Sequence, residues 1–361
     1  MMRRRRNASL LKLSLFFSTL LLLFVGFAVS AQAQTGRVVD SDSHRFTEMA
    51  DGVWHAVGTG SVHVMSNAMV LVGEFDTLVV DSHVTPAAAR SLIEALSAIT
   101  DKPVRYLVNS HYHFDHAHGN QAFPRDVEII GHEFTRFKLS GQGGNVLEES
   151  TFSSFTDPVP ATIAAMERQA AAETDPARKA DIERRTQVQR DYLAAVDEIV
   201  PTPPNITLEE KMTLFQVVSS GSREVQLLHL GRAHTGGDVV VYLPQERIVF
   251  TGDMLLPSLS YMGDAHVNEW PQTLEAMKSL DFEWVLPGHG QPFNDRRVID
   301  NFQAYLADLW PKTARLKDQG MTADQAAEAI DMTNHAAAFP QIRGPGADIR
   351  AIRRIYQLLD Q

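Results

Sequence analysis

The chain has 361 residues, 44% hydrophobic and 21% charged, a composition that supports a folded core and excludes a disordered chain as the default. Its formal net charge of −11 disfavours a polyanionic nucleic-acid partner. It contains no cysteine, so a disulfide framework and a thiolate metal site are both excluded, and any metal must be held mainly by His, Asp or Glu.

Residues 1–33 read as an export signal. Arg3 to Arg6 and Lys12 precede an apolar run from Leu13 to Val29, and Ala31-Gln32-Ala33 supplies a small-x-small cleavage site, with cleavage expected after Ala33. The alternative is an uncleaved anchor, since a run of roughly 17 residues is at the lower limit for spanning a bilayer. Either way the remainder is expected outside the cytoplasm, periplasmic or secreted, with membrane contact only through this segment if it stays attached. Its removal takes away five positive charges and no negative ones, leaving −16.

In chain order, Ala68–Val72 and Thr77–Val80 are predicted strands joined by a turn at residues 73–76. Thr85-Pro86 opens a helix with a cap and a first-turn proline, and Leu92, Ile93, Leu96 and Ile99 mark its buried stripe. Val104–Val108 is the next strand. A helical insertion is expected over about 140–205, with Val188, Tyr192, Val196 and Ile199 as an amphipathic stripe ended by Pro201-Thr202-Pro203-Pro204. It serves either to cover the core or to act as a cap or oligomer contact. Strands resume at 225–230, 239–243 and 247–250. C-terminal helices are expected over about 296–361, with a capping box at Thr322–Gln325 and a last stripe of Ile349, Ile352, Ile355 and Leu359.

The chemistry concentrates in Asn109-Ser110-His111-Tyr112-His113-Phe114-Asp115-His116, directly after a strand. A loop leaving a strand can point His111 and His113 one way and Asp115 and His116 another, which suits two adjacent metals. A zinc ion takes about four ligands, so this cluster needs partners from elsewhere. Three candidates follow, each near a strand end and a glycine: His234 in Ala233-His234-Thr235-Gly236-Gly237, Asp253 in Thr251-Gly252-Asp253, and His289 in Gly288-His289-Gly290.

These residues, in this order, resemble the metallo-β-lactamase superfamily over roughly residues 50 to 295. The resemblance implies an αββα sandwich with the metals at one edge of its two sheets. It implies one zinc held by His111, His113 and His234, a second by Asp115, His116 and His289, and Asp253 bridging them. Asp81 resembles the family's early aspartate that supports a ligand histidine, and His118 is a further candidate beside the ligands. The remaining histidines, His44, His55, His63, His83, His132, His229, His266 and His335, are expected to be structural.

Two zinc ions would supply hydroxide from a shared water for attack on a carbonyl. Asp115 would orient that water and handle its proton, and Tyr261 is a candidate oxyanion donor. The expected function is hydrolysis of a small lactam, amide, ester or lactone, with a small molecule as the only partner. An iron-dependent oxidoreductase of the same superfamily is the alternative, and a non-catalytic metal-binding protein ranks last because all seven ligands are present. The site departs from the cysteine-containing β-lactamases, since Asp253 stands where a thiolate would, and Met254-Leu255-Leu256-Pro257 offers no substrate-binding lysine. Residues 256–261 lack the glutathione-binding pattern of glyoxalase II, and Leu256 replaces the tyrosine of the acyl-homoserine lactonases.

Overall fold

A computed structural model describes residues 36–361, so the predicted signal segment and its cleavage site lie outside the described residues. No helix among the described residues is long and apolar enough to cross a membrane.

Eight strands form the first sheet in chain order: β1 (Val38–Asp40), β2 (His44–Ala50), β3 (Val53–Gly58), β4 (Ala68–Val72), β5 (Thr77–Val80), β6 (Val104–Val108), β7 (Glu128–His132) and β8 (Ile206–Leu208). The first five pair antiparallel, whereas β5 to β8 run parallel. The second sheet comprises β9 (Lys211–Val218), β10 (Gly221–Leu228), β11 (Val240–Leu243), β12 (Ile248–Gly252) and β13 (Trp284–Pro287). Only its last pair, β12 with β13, is parallel.

Alternation along the strands makes each sheet apolar on both faces, and this dictates the layers. Met69, Leu71, Val80 and Val108 of the first sheet share one buried cluster with Leu227, Val241, Phe250 and Leu286 of the second, so the sheets pack face to face. The outer face of the first sheet packs Val70, Val79 and Leu107 against Leu92 and Leu96 of helix α1 (Pro86–Ala95) and the turn that follows it. The result is an αββα sandwich.

The predicted start of α1 is present: the Thr85 side chain accepts from the Ala88 amide with Pro86 in the first turn. Its stripe is narrower than expected, because Ile93 and Ile99 are only half-buried. A short helix, α2 (Phe114–Ala117), runs through the histidine cluster, and α3 (Glu133–Leu139) follows β7. Between α3 and β8 come α4 (Ser150–Thr156), α5 (Val159–Ala172) and α6 (Pro176–Val196). In α6 the buried positions are Ile182, Thr186, Tyr192 and Ala195, so the expected stripe is rotated; Val188 and Val196 are half-buried, and Ile199 is buried beyond the helix end. Tyr192 and Ile199 join Phe152 of α4 and Phe114 of the histidine loop in one cluster, which seats the insertion on the candidate site.

Helix α7 (Trp270–Lys278) lies on the outer face of the second sheet, followed by α8 (Arg297–Asp318), α9 (Ala323–Ala329) and α10 (Ile349–Leu359). Trp270, Phe302, Leu306, Ile352 and Ile355 pack there with Val240 and Val249. The Thr322–Gln325 capping box forms in both directions.

Candidate metal centre

Strand ends set the site. In the parallel pair β5 and β6, Val80 stands opposite Val108, so the next residues, Asp81 and Asn109, leave the same edge together. In β12 and β13, Gly252 stands opposite Pro287, which brings Asp253 beside Gly288 and His289. A Cβ on Gly288 would meet Asp253 Oδ1 at 2.4 Å, so this approach requires glycine there. Two cross-links join the edges of the sheets: the Val239 amide donates to the Ser110 carbonyl at 2.7 Å, and Asn67 Nδ2 donates to the Pro287 and Gly290 carbonyls at 3.0 and 2.8 Å.

All seven predicted ligands come together. One donor atom from each of His111, His113 and His234 falls within 4.8 Å of the others, as does one from each of Asp115, His116 and His289, and one from each of His111, His116 and Asp253. The rings of His111, His113 and His234 stand 4.7 to 4.8 Å apart and nearly perpendicular, at 79° to 86°. Asp253 stands between the sets, with Oδ1 3.4 Å from His116 Nε2 and Oδ2 3.4 Å from His289 Nε2 and 3.8 Å from His234 Nε2.

Hydrogen bonds at the far side of each ring fix which nitrogen faces inward. His234 Nδ1 donates to the Tyr261 carbonyl at 2.9 Å, leaving the Nε2 lone pair inward. His113 Nε2 donates to Asp264 Oδ2 at 3.2 Å, leaving the Nδ1 lone pair inward. Those two inward nitrogens lie 2.9 Å apart, lone pair to lone pair, a contact that a cation resolves. His116 Nδ1 donates to Asp81 Oδ2 at 2.7 Å. His111 Nε2, His116 Nε2 and Asp253 Oδ1 are buried with no hydrogen-bond partner among the described residues. Buried polar atoms are otherwise nearly always paired, so these orphans, in an all-nitrogen and oxygen donor set, fit divalent ions of the zinc or iron type.

The charges agree. Burial opposes ionisation of His116, but Asp115, Asp253 and Asp81 outweigh it and hold its pKa well above the usual range. Against burial, Asp253 and Asp115 push His289 up to about 10. Burial and the neighbouring His113 drive His234 down to about 3. The carboxylates thus concentrate negative charge where a cation would be held.

Asp81 takes its expected supporting position, accepting from His116 and from the amide and hydroxyl of Ser110, each at 2.7 Å. His118 does not: both of its ring nitrogens are buried without partners, and it packs against Phe114 and Phe152 rather than bonding a ligand. Tyr261 lies on the site wall, its ring 5.8 Å from that of His113, and its hydroxyl is 3.0 Å from Thr151 Oγ1. The eight other histidines stay outside the three ligand groups, and His44 and His83 pair with each other at 3.0 Å.

Asp264 and Thr151 carry no sequence signal, yet they extend the site. Thr151 of α4 donates to Asp264 Oδ2, which also receives the bond from His113. Although burial works against it, the bonds from His113 and Thr151 hold Asp264 well below the usual carboxylate pKa. Asp264→Asn removes this negative charge behind His113. Metal affinity at the His111, His113 and His234 set is expected to fall about 10- to 100-fold, measured by competition with a chromogenic chelator; unchanged affinity would leave Asp264 a merely structural role.

The family model of the metallo-beta-lactamase superfamily matches residues 62–289. The chain is similar to a linear primary-alkylsulfatase of Pseudomonas sp. (strain ATCC 19151), 21% identical over 295 residues that cover 78% of this chain and 53% of the relative. It is also similar to a type 2 metallo-beta-lactamase of Bacteroides fragilis, 22% identical over 280 residues, 75% of this chain and 88% of the relative. The chain therefore spans about half the length of the alkylsulfatase and most of the β-lactamase. Among solved structures, a metallo-beta-lactamase from Pontibacter korlensis aligns with TM-score 0.48 and 16% identity, covering 75% of this chain and 100% of that one. The stretch matched by the family model takes in all seven clustered side chains and ends on the last of them, His289, so this chain belongs to the metallo-β-lactamase superfamily.

Proposed function

We propose that the protein is an exported hydrolase with a dinuclear zinc site that cleaves the acyl C–N or C–O bond of a small lactam, amide, ester or lactone. The observation that carries this reading is the set of orphaned inward atoms, His111 Nε2, His116 Nε2 and Asp253 Oδ1, beside a cavity of about 150 Å³ walled by Met65, Phe114, Phe155 and Leu256. His111, His113 and His234 would hold one ion, Asp115, His116 and His289 the other, and Asp253 both. When bound, such ions lower the pKa of a shared water towards neutrality and polarise a carbonyl oxygen.

The chain's own residues then have separable tasks. Asp115 lines the cavity as a carboxylate: burial opposes its charge, but His116 and His289 hold its pKa well below the usual range. It can orient water and receive a proton at the carboxylate oxygen that does not face His116 and His289. Tyr261, pushed up to about 12 by burial and by Asp264, keeps its phenolic proton; because Thr151 gives its own to Asp264, that proton is donated to Thr151 Oγ1, and a substrate oxyanion would have to compete for it. The apolar walls restrict bulk water. His289, whose side chain is 33% exposed, marks the open side by which substrate enters.

The absence of a thiolate and of a lysine after Asp253 supports the broad hydrolase branch rather than specialised β-lactam hydrolysis. The relative named as an alkylsulfatase makes sulfate esters the second substrate class to test. The N-terminal charge, apolar run and Ala31-Gln32-Ala33 support export.

The chain from Gln34 onward should be purified, its metal content measured per protomer, and turnover followed on a chromogenic β-lactam, a lactone, a thioester and a sulfate ester. About two zinc ions per chain and turnover abolished by chelator are expected. One iron with no hydrolysis would reject the reading in favour of an iron-dependent oxidoreductase.

A further inference from the structure

We propose that a second cavity, between residues 259–262 and the segment leading into α10, is an outer lobe of the substrate pocket that binds the anionic end of an elongated, mostly apolar substrate through Arg343. The proposal rests on the hydrolase reading and adds a substrate class to it.

The metal-side cavity holds about 150 Å³, whereas ligand pockets usually span roughly 300 to 1,000 Å³. A substrate of more than a few heavy atoms must therefore extend beyond it. The neighbouring cavity holds about 600 Å³, and Tyr261 lines both. The guanidinium of Arg350, on the wall of the larger cavity, lies 4.8 Å from the Tyr261 ring centroid and 5.8 Å from that of Phe155. Both aromatic rings belong to the metal-side cavity, so the two spaces adjoin along Tyr261.

The outer lobe has the character of an amphiphile site. Leu259, Met262, Tyr305, Ile342 and Pro345 give it apolar walls. Its charged groups are Arg343, Asp348 and Arg350. Asp348 is already engaged: it pairs with the Arg350 guanidinium at 2.6 Å and caps α10 by accepting from the Arg350 amide at 2.9 Å. Arg343 is exposed and forms no ion pair among the described residues. In a chain of net charge −11, an uncompensated guanidinium on the wall of this lobe is a local reversal of sign. A guanidinium binds carboxylate or sulfate through paired hydrogen bonds.

The test uses the metal-loaded protein with octanoate and its dicarboxylate counterpart, suberate. Both offer one carboxylate to the metals; only suberate has a second for Arg343. Equilibrium titration is expected to show suberate binding about tenfold more tightly, with the advantage erased by Arg343→Glu and largely kept by Arg343→Lys. In parallel, the mono-p-nitrophenyl ester of suberate should show a KM about tenfold below that of p-nitrophenyl octanoate, and Arg343→Glu should raise only the former. Equal binding of the two acids, or an advantage that survives Arg343→Glu, overturns the proposal. Arg343-dependent binding of suberate with no turnover of either ester upholds the anionic lobe and removes simple esters from the hydrolase reading instead.

Discussion

Asp253→Ala is expected to empty the site of divalent metal and reduce turnover by more than about a hundredfold, beyond the 10- to 100-fold typical of losing a group that merely supports a ligand. Asp253 is the side chain that faces both ligand sets, with one oxygen towards His116 and the other towards His289 and His234. Its removal withdraws the negative charge the two sets share. The fold should survive, because the local backbone ties do not use the carboxylate: Ser260 Oγ donates to the Asp253 carbonyl, and the Gly288 amide donates to the Gly252 carbonyl. In chelator, the variant should melt only modestly below the parent protein, having lost the carboxylate that faces His116 and His289 but none of these backbone ties. Metal analysis and thermal unfolding with and without zinc read the two effects separately. A variant that retains two ions per chain and parental turnover would remove Asp253 from the metal centre.

That experiment depends on a residue visible in the sequence, and the reason it was visible is local. Four of the seven ligands fall within six positions, His111 to His116, and the others follow apolar runs beside glycines. Strands β4 and β5 were legible to the residue because each is a short, uninterrupted apolar or β-branched run, and β6 because Arg105 is the single break in its five residues. The first three strands were not, since polar residues such as His44, Arg45, Glu48 and His55 interleave with their core positions. Helix α8 was expected only as part of the helical tail over about 296–361, without bounds of its own, because Pro311 lies inside its 22 residues and reads as a break. Edge strand β9 leaves Phe215 and Val217 exposed, so its pattern does not announce a buried face.

The supporting contacts were illegible for a different reason: they join residues that no window of sequence contains. His113 meets Asp264, Thr151 meets Asp264 and Tyr261, and Asn67 holds the loop of His289 through Pro287 and Gly290. Each pairing exists only once the two sheets have packed. Adjacency in sequence misled at His118 for the same reason, since what it packs against includes Phe152, which lies in the insertion. Asp81 was found through the family resemblance, which places an aspartate at the end of this strand.

Asp81→Asn should produce the other large effect, through a proton rather than a lost ligand. Asp81 is fully buried and receives three hydrogen bonds, from the Ser110 amide, the Ser110 hydroxyl and His116 Nδ1. A carboxylate can accept all three; an amide has one accepting oxygen and a donating NH2. If the NH2 faces Ser110, it meets the backbone donor and leaves that N–H unsatisfied, costing about 1 to 3 kcal/mol. If it faces His116, Nδ1 must accept and the ring proton moves to Nε2, the atom directed at the metals, which blocks coordination. Either arrangement is penalised, and the second switches off a ligand that the substitution never touches. Zinc affinity at the set containing His116 should fall about 10- to 100-fold, measured by chelator competition, alongside a lower urea midpoint in metal-free protein. Ser110→Ala separates the two consequences: it deletes one bond to Asp81 and the 3.0 Å contact with His111 Nδ1 without changing the His116 tautomer, so it should cost about 1 kcal/mol of stability and leave the affinity at the Asp115, His116 and His289 set intact, any loss falling on the set that contains His111. Equal losses of affinity in both variants would mean that Asp81 acts only by holding the loop.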